Sequence, residues 1–201
     1  MSSAKTKYDR VTRALHAALA TGVTVELILQ AVMRVPAGVG LGVDDWHREA
    51  FELHAHFGPT VAVLCALHWL WICLPFSRPG IAYLFPWARG ERRAVLKQEL
   101  TALLWGKLPP REGLSPLLGS VHGLGFMAVT GSVVGGVVSY LGYFTPVSIP
   151  GRVLHWTAWE QVIMSGFVWT FVAGHVSMAL WHWLEDRGLR GRMVPHPARS
   201  E

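Results

Sequence analysis

Three long stretches of this chain carry no Lys, Arg, Asp or Glu: residues 53–77, 114–151 and 161–184. Each exceeds the roughly 20 residues that cross a hydrocarbon core as a helix, and no other feature limits the fold as much. In lipid every backbone N–H and C=O must find its partner within the protein, so isolated apolar runs of this length are helices. A fourth stretch, residues 11–33, is apolar apart from Arg13 near its start, His16, Glu26 and Gln30, and is read as a further span. It is longer than the roughly 7–15-residue apolar segment of a secretory leader, and no small-x-small cleavage site follows it.

The composition agrees. Only 15% of the 201 residues are charged and 51% are hydrophobic, whereas an average soluble domain is about 25% charged. So little charge does not coat a surface in water. A chain this aromatic and apolar is not disordered, and two cysteines do not make a disulfide scaffold. The expected architecture is an all-α membrane protein, one four-helix domain over residues 1–201, with spans at about 11–33, 53–76, 115–143 and 156–184.

Four spans place both termini on one side. Fifteen of the eighteen Lys and Arg residues fall in the N-terminal segment up to Arg13, the connection between Arg78 and Arg111, and the tail from Arg187; only Arg34, Arg48 and Arg152 lie on the other face. By the positive-inside rule both termini are expected in the cytoplasm. The net charge of +5 then needs no nucleic-acid partner, since a basic face against anionic headgroups accounts for it. Within the long connection, residues 89–105 read as an amphipathic helix at the interface. Trp46, Trp87, Trp105, Trp156 and Trp183 read as interfacial anchors. Gly131, Gly135 and Gly136 allow close helix contact in the third span.

The chemistry is expected from the histidines, since ionisable groups inside a bilayer are expensive and mark function. His16 lies five residues into the first span, roughly 8 Å deep, and His175 nine residues before Leu184, roughly 13 Å deep. His68 and His122 fall in the same half of the membrane. His54 precedes His68 by 14 residues, roughly 21 Å along a helix, and projects from nearly the same face into the opposite half. Imidazoles from two helices can hold a haem iron on both axial sides, leaving no open position and favouring electron transfer. Small neighbours such as Ala17, Ala18, Gly58, Gly166 and Gly174 would admit a flat porphyrin.

Four segments carry a resemblance: Tyr8-Asp9-Arg10-Val11-Thr12-Arg13-Ala14-Leu15-His16, His54-Ala55-His56-Phe57-Gly58, Lys107-Leu108-Pro109-Pro110 before Leu114-Ser115-Pro116-Leu117, and Gly174-His175 followed by His182 and Arg192-Met193-Val194-Pro195. In that order they resemble the bacterial cytochrome b561 superfamily, which includes the cytochrome b subunits of nickel-iron hydrogenases and the gamma subunits of formate dehydrogenases. The resemblance implies a four-helix cytochrome with haem b, exchanging electrons with quinone beside a periplasmic or membrane redox partner subunit, in the bacterial inner membrane. Carried over residue by residue, His16 and His175 match the ligands of one haem and His54 a ligand of the other.

One position departs from the pattern. The remaining ligand of the second haem would stand 14 residues before His175, where this chain has Gln161. The second haem is then absent, or held by His155, His56 or Met164 instead; alternatively His68 ligates beside His175 and frees His16. One haem is expected and two remain open. His122, Gln98 and Ser115 are candidate quinone contacts, and Glu26 either carries protons or pairs with a buried polar neighbour. Cys65 and Cys73 read as small core residues, and without a Cys-x-x-Cys-His motif covalent haem is excluded. His47 and His196 read as solvated. The expected function is electron transfer between a redox partner and the quinone pool. The other readings are a stand-alone oxidoreductase of a small donor such as superoxide, and a haem-free membrane anchor of a redox complex.

Overall fold

A computed structural model describes residues 8–33, 45–105 and 115–186 of the chain, with only the backbone described at 181, 182, 185 and 186. Residues 34–44, the Lys107-Leu108-Pro109-Pro110 segment, the side chain of His182, His196 and the basic tail lie outside the described residues. Four helices are long and apolar enough to cross a membrane. They are α1 (Arg10–Val32), α2 (Asp45–Cys73), α5 (Pro116–Phe144) and α6 (Gly151–Asp186); between the middle pair lie a short α3 (Ile81–Leu84), a 3-10 turn (Pro86–Ala88) and α4 (Gly90–Leu104). All four expected spans are helical. α2 begins eight residues earlier than expected and α6 five, because acids and arginines at a helix end do not interrupt it once that end leaves the hydrocarbon. At about 1.5 Å per residue α6 is about 54 Å long, more than the bilayer needs.

Two of the spans, α1 and α5, begin where the sequence supplies a side-chain cap. The Asp9 carboxylate accepts from the Thr12 amide at 2.7 Å and from the Thr12 hydroxyl at 2.7 Å, occupying a donor the first turn leaves orphaned. Its second role is tertiary. The Arg78 amide, just past α2, donates to Asp9 at 2.8 Å and the Asp9 amide donates to the Arg78 carbonyl at 3.2 Å, so the start of α1 is tied to the exit of α2. At the other end of this hairpin, His47 Nδ1 donates to the Val32 carbonyl at 2.5 Å. His47, expected to be solvated, thus clamps α1 to α2. Ser115 caps α5, accepting from Leu118, and its own hydroxyl donates to Glu99 of α4, which also accepts from the Leu117 amide at 2.7 Å. The Ser115 hydroxyl is therefore taken up in capping rather than left to contact a quinone.

α1 packs chiefly on α2 and α5 chiefly on α6, with α2 joining α5. Leu19, Val61, Cys65, Ile72 and Phe126 form one buried cluster and Leu27, Val129 and Val168 another. The α2–α5 seam also carries polar glue: Trp69 Nε1 donates to Thr130 Oγ1 at 2.9 Å, and Thr130 returns its proton to the Phe126 carbonyl. Cys65 is buried as expected, whereas Cys73 is exposed. Two glycines on α5 are sites of close approach. A Cβ at Gly119 would collide with the Tyr83 carbonyl and one at Gly123 with the Leu84 carbonyl, so α3 lies directly on the first turns of α5. The five anchor tryptophans are all exposed, as lipid-facing and headgroup-facing rings should be.

Candidate functional site

Antiparallel pairing brings four histidines into one layer. His16 follows the start of α1 by six residues, His68 precedes the end of α2 by five, His122 follows the start of α5 by six, and His175 precedes Leu184, the last residue of the uncharged run in α6, by nine. The sequence places them at similar depth; the helix pairing makes them neighbours.

The rings of His16 and His175 have centroids 6.1 Å apart, with planes inclined at 72°. A metal–imidazole bond is about 2 Å long and the ring centroid lies about 1 Å beyond the nitrogen, so two imidazoles on opposite sides of one iron have centroids about 6 Å apart. The separation of the His16 and His175 rings matches that spacing. His122 lies against His175 with centroids 5.1 Å apart, closer than that axial separation. Its Nδ1 donates to the Leu118 carbonyl at 2.7 Å, which orients the ring. Phe171 stacks on His175 at 5.4 Å and 21°. On the other side, His68 is buried against Phe126 at 5.0 Å. Its ring lies within reach of the Leu15 carbonyl and beside His16, and its Nδ1 is buried without a hydrogen-bond partner.

The layer has a lid outside the spans. Tyr83 of α3 is buried with its ring 6.2 Å from His122. Burial, then the neighbouring Tyr8, push its phenol up, with Arg92 opposing. It stands there as a neutral hydroxyl.

In the opposite half the polar residues are differently arranged. His54 Nδ1 is in close contact with Glu26 Oε2 of α1, both atoms enclosed, although the two do not meet in hydrogen-bond geometry. Gln161 donates through Nε2 to the Ser132 carbonyl at 2.7 Å. Ser165, one turn on, donates to Gln30 of α1 at 2.5 Å. The three alternative partners of His54 are engaged elsewhere. His56 donates to the Glu52 carbonyl and packs on Tyr140 and Phe144. His155 is exposed beside Trp156 and Trp159. Met164 rests on Gly131. Gly131, Gly135 and Gly136 of α5 accept side chains rather than a second backbone, with Glu160 over Gly131 and Gly135 and Gln161 over Gly136.

Sequence reasoning missed Glu160 and Glu99. Glu160 borders an uncharged run and so marked the end of a span, yet it lies within α6 and faces α5. Glu99 sits in the interfacial helix, where a carboxylate needs no explanation, and its partners are 16 and 18 residues away. Of the residues put forward for porphyrin packing, Gly166 and Gly174 face open space and Gly58 lies near Glu26. Among the described residues no group of three or more His, Cys, Asp and Glu side chains could hold a bare metal ion.

No curated protein and no solved structure matches the chain at the stringency applied. The family comparison gives a different result: the profile described as prokaryotic cytochrome b561 matches residues 7–196, spanning all four long helices and the histidine layer between them. Such coverage is decisive for membership, and the chain belongs to the prokaryotic cytochrome b561 family, whose membrane proteins carry electrons on b-type haem.

Proposed function

We propose that this protein is an electron-transfer cytochrome that relays electrons between a redox partner and the quinone pool, with His16 and His175 as the axial ligands of its haem. The observation that carries the reading is the 6.1 Å separation of these two rings, contributed by the first and last spans. Haem bound there supplies a one-electron carrier with no open coordination position.

The surrounding residues have separable tasks. Phe171, stacked on His175, and the Leu118 carbonyl, which holds His122, fix the orientation of rings on the α5–α6 side. His68 backs His16 from α2. Partners of this kind set ligand basicity and ring orientation. His122, within the layer, and Tyr83 of α3 beside it lie next to one another. Both can hydrogen-bond a quinone head there, and His122 is the group of the two that can pass it protons. The cation count supports an inner-membrane protein with both termini and this layer toward the cytoplasm.

The test is reoxidation. Purified protein in detergent, reduced chemically and mixed with a short-chain quinone, should lose its reduced b-type absorption within the mixing experiment. A spectrum that stays reduced would remove quinone from the proposal.

A further inference from the structure

We infer that this chain binds one haem and that the place of a second, in the half of the bundle holding His54, is taken by protein. The inference rests on the proposed haem site at His16 and His175. It concerns what lies about 21 Å away along α2, the rise separating His54 from the level of His68.

A second bis-imidazole haem needs two free imidazoles facing each other there. The structure supplies neither condition. His54 is already paired with Glu26, whose side chain is 13% exposed. Turning that imidazole onto iron would leave the Glu26 carboxyl without its neighbour inside the membrane, where an unsatisfied polar group is expensive. On α6, Gln161 uses its amide to bind the Ser132 carbonyl, and Ser165 one turn away binds Gln30. These contacts tie α6 to α5 and to α1 at the levels where the second haem would lie. His56, His155 and Met164 each have other neighbours. The replacement is thus double, a missing imidazole on α6 and a committed one on α2.

The functional consequence concerns direction. Two stacked haems would join the two membrane surfaces as a relay, whereas one haem confines haem-borne electron transfer to the half that holds His16 and His175. The donor and the quinone then both exchange electrons in that half. The opposite half keeps the Glu26–His54 contact in its interior and no redox centre.

The pyridine haemochrome assay on purified full-length protein reads haem per polypeptide. The expected value is one, unchanged in His54→Ala and in Glu26→Gln. Two haems per chain, or the loss of one in His54→Ala, overturns the inference and leaves the proposed function standing; no haem at all overturns both. Because His54→Ala leaves Glu26 unpaired and can lower the yield of folded protein, a potentiometric titration of the wild-type protein decides independently. A single one-electron wave is expected, and two resolved waves of equal amplitude contradict it.

Discussion

His16 and His175, separated by nearly the full length of the chain, have ring centroids 6.1 Å apart, whereas His175 and its nearer neighbour in sequence, His122, lie at 5.1 Å. The first distance suits two ligands of one iron and the second does not. If His16 and His175 hold the haem iron as proposed, the reduced protein would have no place for a diatomic ligand. Carbon monoxide added to the reduced wild-type protein should give no difference spectrum; a full-amplitude carbonyl band would show that one axial position is open.

The Glu26–His54 pair joins α1 to α2 inside the membrane. Breaking such a pair from one side leaves a charge uncompensated and costs about 3–5 kcal/mol in soluble interiors, while replacing both members is far less damaging. Glu26→Leu and His54→Leu should each lower the thermal midpoint in detergent, and the double variant should recover part of the loss. Strictly additive midpoints would mean that the two side chains are not coupled.

Gly119 and Gly123 let α3 lie on α5. An added methyl meets backbone rather than a movable side chain, so Gly123→Ala should destabilise by about 1–3 kcal/mol, the usual range for overpacking. At Gly90, the start of α4, a methyl would meet nothing within 4 Å, and Gly90→Ala should stay within about 0.5 kcal/mol of wild type. Equal effects at the two glycines, read from thermal midpoints, would disprove the close approach.

Asp9 has a pH signature. Burial opposes its ionisation, but hydrogen bonds from the Thr12 and Arg78 amides, the Thr12 hydroxyl and the Trp71 indole outweigh it and hold the carboxyl at about 2 against an ordinary 3.8. A lowered carboxyl stabilises the folded state above its unfolded value and loses that contribution as the pH falls through the folded one. Asp9→Ala should therefore cost about 1 kcal/mol at neutral pH, as for other N-caps. The gap between wild type and variant should close on acidification from 3.8 toward 2. A gap independent of pH would assign the effect to the lost side chain and not to its charge.

How much of this was legible beforehand follows from where each signal resides. The spans are visible because the bilayer excludes charge, a constraint that acts on every residue of a long run. The depth of His16, His68, His122 and His175 follows from counting along helices. Which of them touch does not, because depth says nothing about which helix pairs with which; that required α1 against α2 and α5 against α6. Gln161 was visible as a departure, and its bond to the Ser132 carbonyl explains what replaced a ligand. Ser115 was misread because a serine before Pro116 is both a helix cap and a polar group near the interface, and only Glu99, brought up from α4, separates the two roles. His47 was misread for the same reason: its partner, Val32, belongs to the previous helix.

The central claim is that one haem is held between α1 and α6 by His16 and His175. The reduced-minus-oxidised spectrum of the purified protein tests it most directly. The account predicts a b-type band that is lost in His16→Ala and in His175→Ala and kept in His54→Ala; a band of full amplitude in either of the first two variants would contradict it.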